Sequence, residues 1–340
     1  MPEQPHPFFF IVGNSRSGTT MVMRMLGNHS QIHALSEWHF FEQLWSSADT
    51  EKTIVKDKAI ILAARLLKIQ RKGYQAEFRL EDYKEEASEI IGSLKRDTIY
   101  PIEVFKATAF HETVLSKKVY PCEKTPQNVF YIEEILEMLP GAKIINLIRD
   151  PRGVMLSQKR KANRRRLGAN WINRKEALRL KTNYHPITTS RLWNSAILAS
   201  QKFADHPKVY TAYFENILTK PKLEMEGICS FLGLTYNHEM LQIQHLGSSN
   251  EPDDPNQIGI KAERAAFWQD GGLNQAEVQL CQKISGSLMK KHGYQLVKTN
   301  PNHLTLVGYY FSFPLKLALA LILNLHRMKN ISETIRKRLN

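Results

Sequence analysis

Cysteine is scarce in this chain. Cys122, Cys229 and Cys281 stand far apart in 340 residues and show no metal-ligand spacing. That excludes a disulfide framework and a cysteine-built metal centre, and it suits a reducing compartment. No internal repeat and no low-complexity segment occurs, which argues against a repeat array or a disordered linker protein. Residues 1–7 have no charged stretch leading into an apolar one, and the first apolar run is too short for an anchor. Acidic residues are in deficit: 33 Asp and Glu stand against 47 Lys and Arg, a formal charge of +14. Such a surplus calls for an anionic partner, whether nucleic acid, an acidic membrane surface or a polyanionic cofactor. Apolar residues are not lacking. At 42% they suffice for one large α/β domain or two smaller ones.

Residues 8–37 carry the strongest signal. The run Phe8 to Val12 has the length and composition of a buried strand. It leads into Gly13-Asn14-Ser15-Arg16-Ser17-Gly18-Thr19-Thr20, after which Met21, Val22, Met25 and Leu26 recur at helical spacing. Strand, glycine-bounded loop and helix make a phosphate cradle, because the loop backbone and the first helical N–H groups face the anion. The spacing of Gly13 and Gly18 is that of a nucleotide-triphosphatase P-loop, but the lysine that should follow the second glycine is missing. Thr19 stands there, and the cation has moved into the loop as Arg16. Such a loop is a poor site for ATP with magnesium and a good one for a single phosphate ester. The plainer alternative is a Ser/Thr-rich helix cap after a buried strand.

Strands and helices then alternate. Gly27 to Ser36 is rich in turn residues, and residues 50–117 read as a helical insertion that shapes an acceptor cleft. A helix is expected over Val129 to Leu139, a buried strand over Lys143 to Ile148, and helices over 190–203, 221–232 and 274–291. Lys208 to Phe214 reads as a strand and residues 247–259 as a loop. The alternation predicts an α/β fold with a mostly parallel sheet covered on both faces. Residues 1–300 form the expected domain, and 301–340 a helical tail. Leu304 to Leu325 is strongly apolar but interrupted by Pro314 and Lys316, and Arg327, Lys329, Arg336, Lys337 and Arg338 follow. The tail fits an interfacial helix with a basic flank, and equally a helix packed on the globule or on a dimer partner.

Further candidate chemistry follows the later strands. Arg149 closes the expected strand 143–148, where ligands gather in open α/β sheets. Ser157 lies about two helical turns on, so that guanidinium and hydroxyl can grip one phosphate. Arg152 and Lys161 are weaker candidates, and an Arg149–Asp150 surface pair is the alternative. Lys124 sits at a strand-to-helix junction. Glu37 follows the loop helix and a return segment, which brings it back over the cradle.

Arg16-Ser17-Gly18-Thr19-Thr20 resembles the 5′-phosphosulfate loop of sulfotransferases that use 3′-phosphoadenosine 5′-phosphosulfate (PAPS), nearest to the bacterial and tyrosylprotein branch. The run LIRDPRGVMLS, Leu147 to Ser157, resembles that family's 3′-phosphate element. The resemblance covers about residues 8–295, except the insertion. It implies a P-loop-type three-layer fold and PAPS as donor, with no metal. Arg16, Ser17, Gly18, Thr19, Thr20, Arg149, Ser157, Tyr213 and Lys261 would then bind PAPS, with Ser249 and Arg264 beside Lys261 in a closing loop. Arg16 and Lys124 would stabilise the leaving phosphate. Glu37 would be the general base, with His29, His33, His39 and His111 as rivals. Glu123 and Thr125 depart from the asparagine and aspartate that flank the family's lysine.

The acceptor hydroxyl could belong to a glycan, a lipid or a phenol such as tyrosine. A cytoplasmic enzyme is expected, with peripheral membrane contact through the tail as one reading. A P-loop kinase or NTPase is the competing enzyme class. A nucleic-acid-binding protein built on the basic run 158–181 and Trp171 is the competing non-enzyme.

Overall fold

The computed structural model describes residues 7–74, 76–167, 173–324 and 331–339. Trp171, Arg327 and Lys329, singled out above, lie outside the described residues, as do residues 1–6.

Strand β1, Phe9–Gly13, is buried throughout. Phe8, Phe10 and Val12 enter one apolar cluster while Phe9 and Ile11 enter another. A strand whose alternate side chains are apolar on both faces must be central. It pairs in parallel with β5 (Tyr120–Glu123) on one side and β6 (Lys143–Ile148) on the other. Strands β2 (Ile32–Ala34) and β7 (Val209–Tyr213) complete a parallel five-stranded sheet in the order β2-β5-β1-β6-β7. Chain order diverges on either side of β1, so the crevice at its carboxyl end is where this topology places ligands.

One face of the sheet carries α1 (Thr19–Gly27) and α10 (Pro221–Leu232), which bury Val22, Met25, Leu26, Ile228 and Leu232. The other face is an aromatic core of Phe8, Phe10, Trp38, Phe40, Phe41 and Phe105. It is covered by the helices of the insertion, α2 (Lys56–Lys72), α3 (Lys84–Gly92) and α4 (Pro101–Leu115), and by α5 (Ile132–Met138). Helices α6 (Pro151–Lys159), α8 (Pro186–Gln201) and α11 (Gln275–Lys291) pack together beyond β6 around Val154, Trp193, Ile197 and Met289. The short α7 (Arg174–Thr182) precedes α8, and α9 (Phe214–Thr219) leads from β7 into α10.

Several boundaries differ from the sequence expectation. The stretch Val129 to Leu139 is split: a tight 3-10 turn spans Pro126–Tyr131 before α5 begins. Asn128 is held inward there, donating to Glu123 at 2.8 Å. The loop 247–259 contains β9 (Asp254–Ile258), paired antiparallel with β8 (Gln244–His245). Every residue of β9 is exposed, so pairing rather than apolar patterning makes this strand. A second two-stranded ladder joins β3 (Ile54–Val55) to β4 (Thr98–Ile99) at the foot of the insertion. The tail forms α12 (His303–Asn324) and α13 (Ile331–Leu339).

Candidate active site

The cradle sits at the carboxyl end of β1. Gly18 caps α1 in the left-handed region, with φ of 98°. A Cβ there would come within 2.3 Å of the Phe214 ring, so only glycine closes this loop. The same ring lies under Arg149, whose guanidinium carbon is 4.1 Å from its centroid. Gly153 makes room on the opposite side, since a Cβ there would lie 3.0 Å from Arg149 Nε. Arg149 Nη1 donates to the Arg16 carbonyl at 3.1 Å. The strand-end arginine therefore braces the loop. Asp150 does not pair with Arg149. It caps α6 through Arg152 N at 2.8 Å and pairs with the Arg152 guanidinium at 2.6 Å.

Arg16 has a positive φ of 75°, which aims its side chain across the crevice. Its Nε donates to Ser157 Oγ at 3.0 Å and its Nη2 to Ser249 Oγ at 2.7 Å. These partners are hydroxyls, not carboxylates. Burial, then the like charges of Arg149 and Arg164, lower Arg16 to about 10 from its ordinary 12.5, against an opposing pull from Glu37. Lys161 is lowered to about 8, first by burial and then by Arg16. Arg149 is lowered too, chiefly by burial. Arg149 thus acts on Arg16 and Arg16 on Lys161, and buried cations crowded in this way suit a site built for an anion.

Beside this cluster stands a carboxylate. Glu37 pairs with Lys124, whose Nζ also donates to Thr20 Oγ1 at 3.1 Å. His39 Nε2 is 3.5 Å from the same carboxylate. Burial pushes Glu37 up, but Lys124 and His39 outweigh it and hold the group well below the usual carboxylate range. For His39 burial works downward, and the carboxylates of Glu37 and Glu42 more than offset it, raising the imidazole to about 9.

The segment carrying Glu37 is fixed by buried polar contacts. Gln70 of α2 accepts from Ser36 N at 2.8 Å and from Trp38 Nε1 at 3.0 Å. Glu123, at the end of β5, accepts from Trp38 N at 3.1 Å, Thr125 N at 3.1 Å, Thr125 Oγ1 at 2.5 Å and Asn128. Thr125 Oγ1 in turn accepts from His39 N at 3.2 Å. Four donors meet on one buried carboxylate, whose pKa burial raises to about 7. The residues that depart from the family's lysine element thus form the anchor of the Glu37 segment.

The structure brings Arg16, Ser17, Gly18, Thr19, Thr20, Arg149 and Ser157 to one crevice, with Glu37 and Lys124 at its edge. Tyr213 lies elsewhere: its hydroxyl meets His292 Nδ1 at 3.1 Å and its ring packs on the α8–α11 cluster. Its neighbour Phe214 is the residue that touches the loop. Lys261 and Arg264 both pair with Glu251, in the segment that also presents Ser249 to Arg16. Of the rival histidines, His111 pairs with Glu86 within the insertion and His29 contacts the Thr235 carbonyl. His33 sits on β2, and His39 is the one that reaches Glu37. Sequence reading missed Phe214, Gln70 and Arg164. For Phe214 a signal existed, because it occupies the junction from strand to helix next to the chosen tyrosine.

A cradle loop on a parallel sheet, with buried cations beside it and a carboxylate–lysine pair at the rim, is the arrangement of a group-transfer enzyme that handles an anion. The profile of the sulfotransferase family matches residues 7–238. The chain belongs to that family and catalyses sulfuryl transfer. No curated protein matches it in sequence. Among solved structures it is similar to the sulfotransferase domain from the curacin biosynthetic pathway, with 19% identity over 86% of this chain and 99% of that one and a TM-score of 0.49. A sulfotransferase of Mycobacterium avium shares 16% over 86% of this chain and 78% of its own, with a TM-score of 0.42. Retinol dehydratase, solved with androsterone and the inactive cofactor PAP, shares 14% over 88% and 84%, with a TM-score of 0.37. No His, Cys, Asp or Glu cluster of metal-binding geometry occurs among the described residues.

Proposed function

We propose that this sulfotransferase takes its sulfuryl group from PAPS and delivers it to an acceptor hydroxyl at Glu37. The observation that carries the reading is the crevice in which Arg16, Arg149 and Lys161 are crowded together: burial lowers all three, Arg149 lowers Arg16 further, and Arg16 lowers Lys161. Buried polar atoms support the fit. Ser17 Oγ and Arg149 Nε have no protein partner among the described residues, and both border the cradle. Ser17, Gly18, Thr19 and Thr20 would hold the 5′-phosphosulfate on loop and helix N–H groups. Arg149 and Ser157 would hold the 3′-phosphate. We assign Lys261 to the closing segment, and Tyr213 to indirect support through its neighbour Phe214.

Bound PAPS would supply a sulfuryl group whose bridging oxygen leaves with the phosphate as the acceptor oxygen joins sulfur. Glu37, ionised by its cationic neighbours, accepts the acceptor's proton. Arg16 and Lys124 neutralise charge on the leaving side, where a fixed cation is most effective in the transition state. Lys124 divides itself between Glu37 and Thr20 at the helix start, so drawing it toward an anion raises the basicity of Glu37. The acceptor is read as a hydroxyl of glycan, lipid or phenol class. Three free, buried cysteines suit a reducing cytoplasm. Residues 1–300 would form the catalytic unit.

Calorimetric titration of the full chain with 3′-phosphoadenosine 5′-phosphate (PAP), beside ATP with magnesium, tests the reading. Micromolar PAP binding that collapses in Arg149→Ala supports it. A preference for ATP with magnesium moves the protein to the kinase class.

A further inference from the structure

Helix α12 is apolar, lies on the surface, and has no role in the crevice. Its 22 residues are long and apolar enough to cross a membrane, with a mean hydropathy of 1.7 over an 18-residue window of which none is buried. Leu304, Phe311, Leu315 and Ile322 recur at helical spacing and are 81%, 82%, 66% and 62% exposed. They form one outward stripe, about 27 Å long at 1.5 Å per residue.

The opposite side of α12 is tied down at intervals. Tyr309 Oη accepts from Asn274 at 3.0 Å, Ser312 Oγ is 3.4 Å from His185 Nε2, and Asn324 donates to Asn183 at 2.8 Å. The chain then returns to the body as α13. Glu333 there accepts from Ser47 N at 3.2 Å, and Lys337 pairs with Glu134. Both ends of α12 are therefore held on the same globule. A spanning orientation would break these contacts and carry Lys316 into hydrocarbon.

Charge decides what covers the stripe. Helix α12 contains no Asp or Glu. Exposed Lys283 lies beside Tyr310, at 3.4 Å from its hydroxyl, and exposed Arg191 lies 5.2 Å from the Phe313 ring. Lys316 stands on the helix itself, and α7 adds exposed Arg174, Lys175 and Lys181 next to it. A second copy docking symmetrically would set this cationic fringe against itself. Anionic head groups complement it, with the apolar stripe entering the acyl boundary.

We propose that α12 seats the enzyme in the plane of an anionic bilayer, apolar stripe inward and cationic fringe among the head groups. Flotation of the full chain with vesicles of phosphatidylcholine containing phosphatidylglycerol tests this, with pure phosphatidylcholine vesicles alongside. The wild type is expected to float with the anionic vesicles and far less with the neutral ones. The double variant Phe311→Asp/Leu315→Asp should lose flotation about tenfold or more, because carboxylates resist entry into the acyl region. Its melting temperature and PAP affinity should stay at the wild-type values, which separates lost docking from lost folding. Wild-type protein left at the bottom of the gradient overturns the proposal, as does flotation that survives the double substitution. So does a wild-type dimer in light scattering that the double variant converts to monomer, since a second copy would then be the occupant. Failure of PAP binding in both proteins would count against the donor assignment and leave the flotation result standing.

Discussion

Arg16 Nε donates to Ser157 Oγ at 3.0 Å, joining the loop after β1 to the helix after β6 across 141 residues of sequence. The two anion contacts expected separately are thus one continuous surface, with the Arg16 guanidinium lying across it. A bisphosphate entering the crevice must compete for both groups. Arg16→Ala and Ser157→Ala should each weaken PAP binding about tenfold, in line with loss of a charge-assisted hydrogen bond. The double variant should weaken it by less than the product of the two, since the groups share a partner. Calorimetry on the four proteins of the cycle gives the coupling, and strict additivity would mean that Arg16 and Ser157 act on separate parts of the ligand.

Glu37→Gln should leave PAP affinity within about twofold while lowering sulfuryl transfer from labelled PAPS about 10²–10³-fold, as removal of a positioned base does. Lys124→Ala predicts a displaced pH profile. Without that cation the Glu37 carboxyl titrates closer to its ordinary range, so the acid limb of kcat/KM moves to higher pH. An unmoved acid limb in Lys124→Ala would assign that limb to another group.

His39 links stability to pH. Its folded pKa of about 9 lies above its ordinary 6.5, so the folded state binds the proton more tightly. The stabilisation is fully present below pH 6.5 and disappears as pH rises through about 9. Melting temperatures of wild type and His39→Gln should therefore differ most at the acid end of this window and converge at its alkaline end. A constant difference would show that the imidazole contributes by packing alone.

Gly18→Ala tests the cradle. The left-handed backbone costs a residue with a Cβ about 1–2 kcal/mol, and the new methyl group would collide with the Phe214 ring at 2.3 Å. Loss of PAP binding with a melting temperature lowered by about 1–3 °C, what such an energy implies for a chain of this size, is the expected outcome. Normal PAP binding in a stable Gly18→Ala protein would remove the loop from the site.

Glu123 shows how an apparent departure from a family pattern is resolved by structure. In sequence it replaces an asparagine beside Lys124. In the fold it is a buried carboxylate with four donors, holding Trp38 and Thr125 and through them the Glu37 segment. Gln70 completes that support from the insertion, a region whose sequence carries no chemical signal. The run 247–259 offers Ser249 to the site but gives no sign of its strand, because β9 exists through pairing and its side chains are all exposed.

The sequence by itself determined strands β1, β6 and β7, the cradle loop, and the placement of Arg16 and Arg149 just past strand ends with Ser157 on the helix that follows. Those features rest on local rules: alternation of apolar residues, glycine at a left-handed turn, and helix starts that follow strands. Only the tertiary structure decided that Phe214 rather than Tyr213 lies under the loop, that His39 among the histidines meets Glu37, and that the apolar stripe of α12 faces outward. Each depends on side chains distant in sequence converging in space. Local periodicity fixes which residues share a face, but what that face meets is set by the packing of the whole chain.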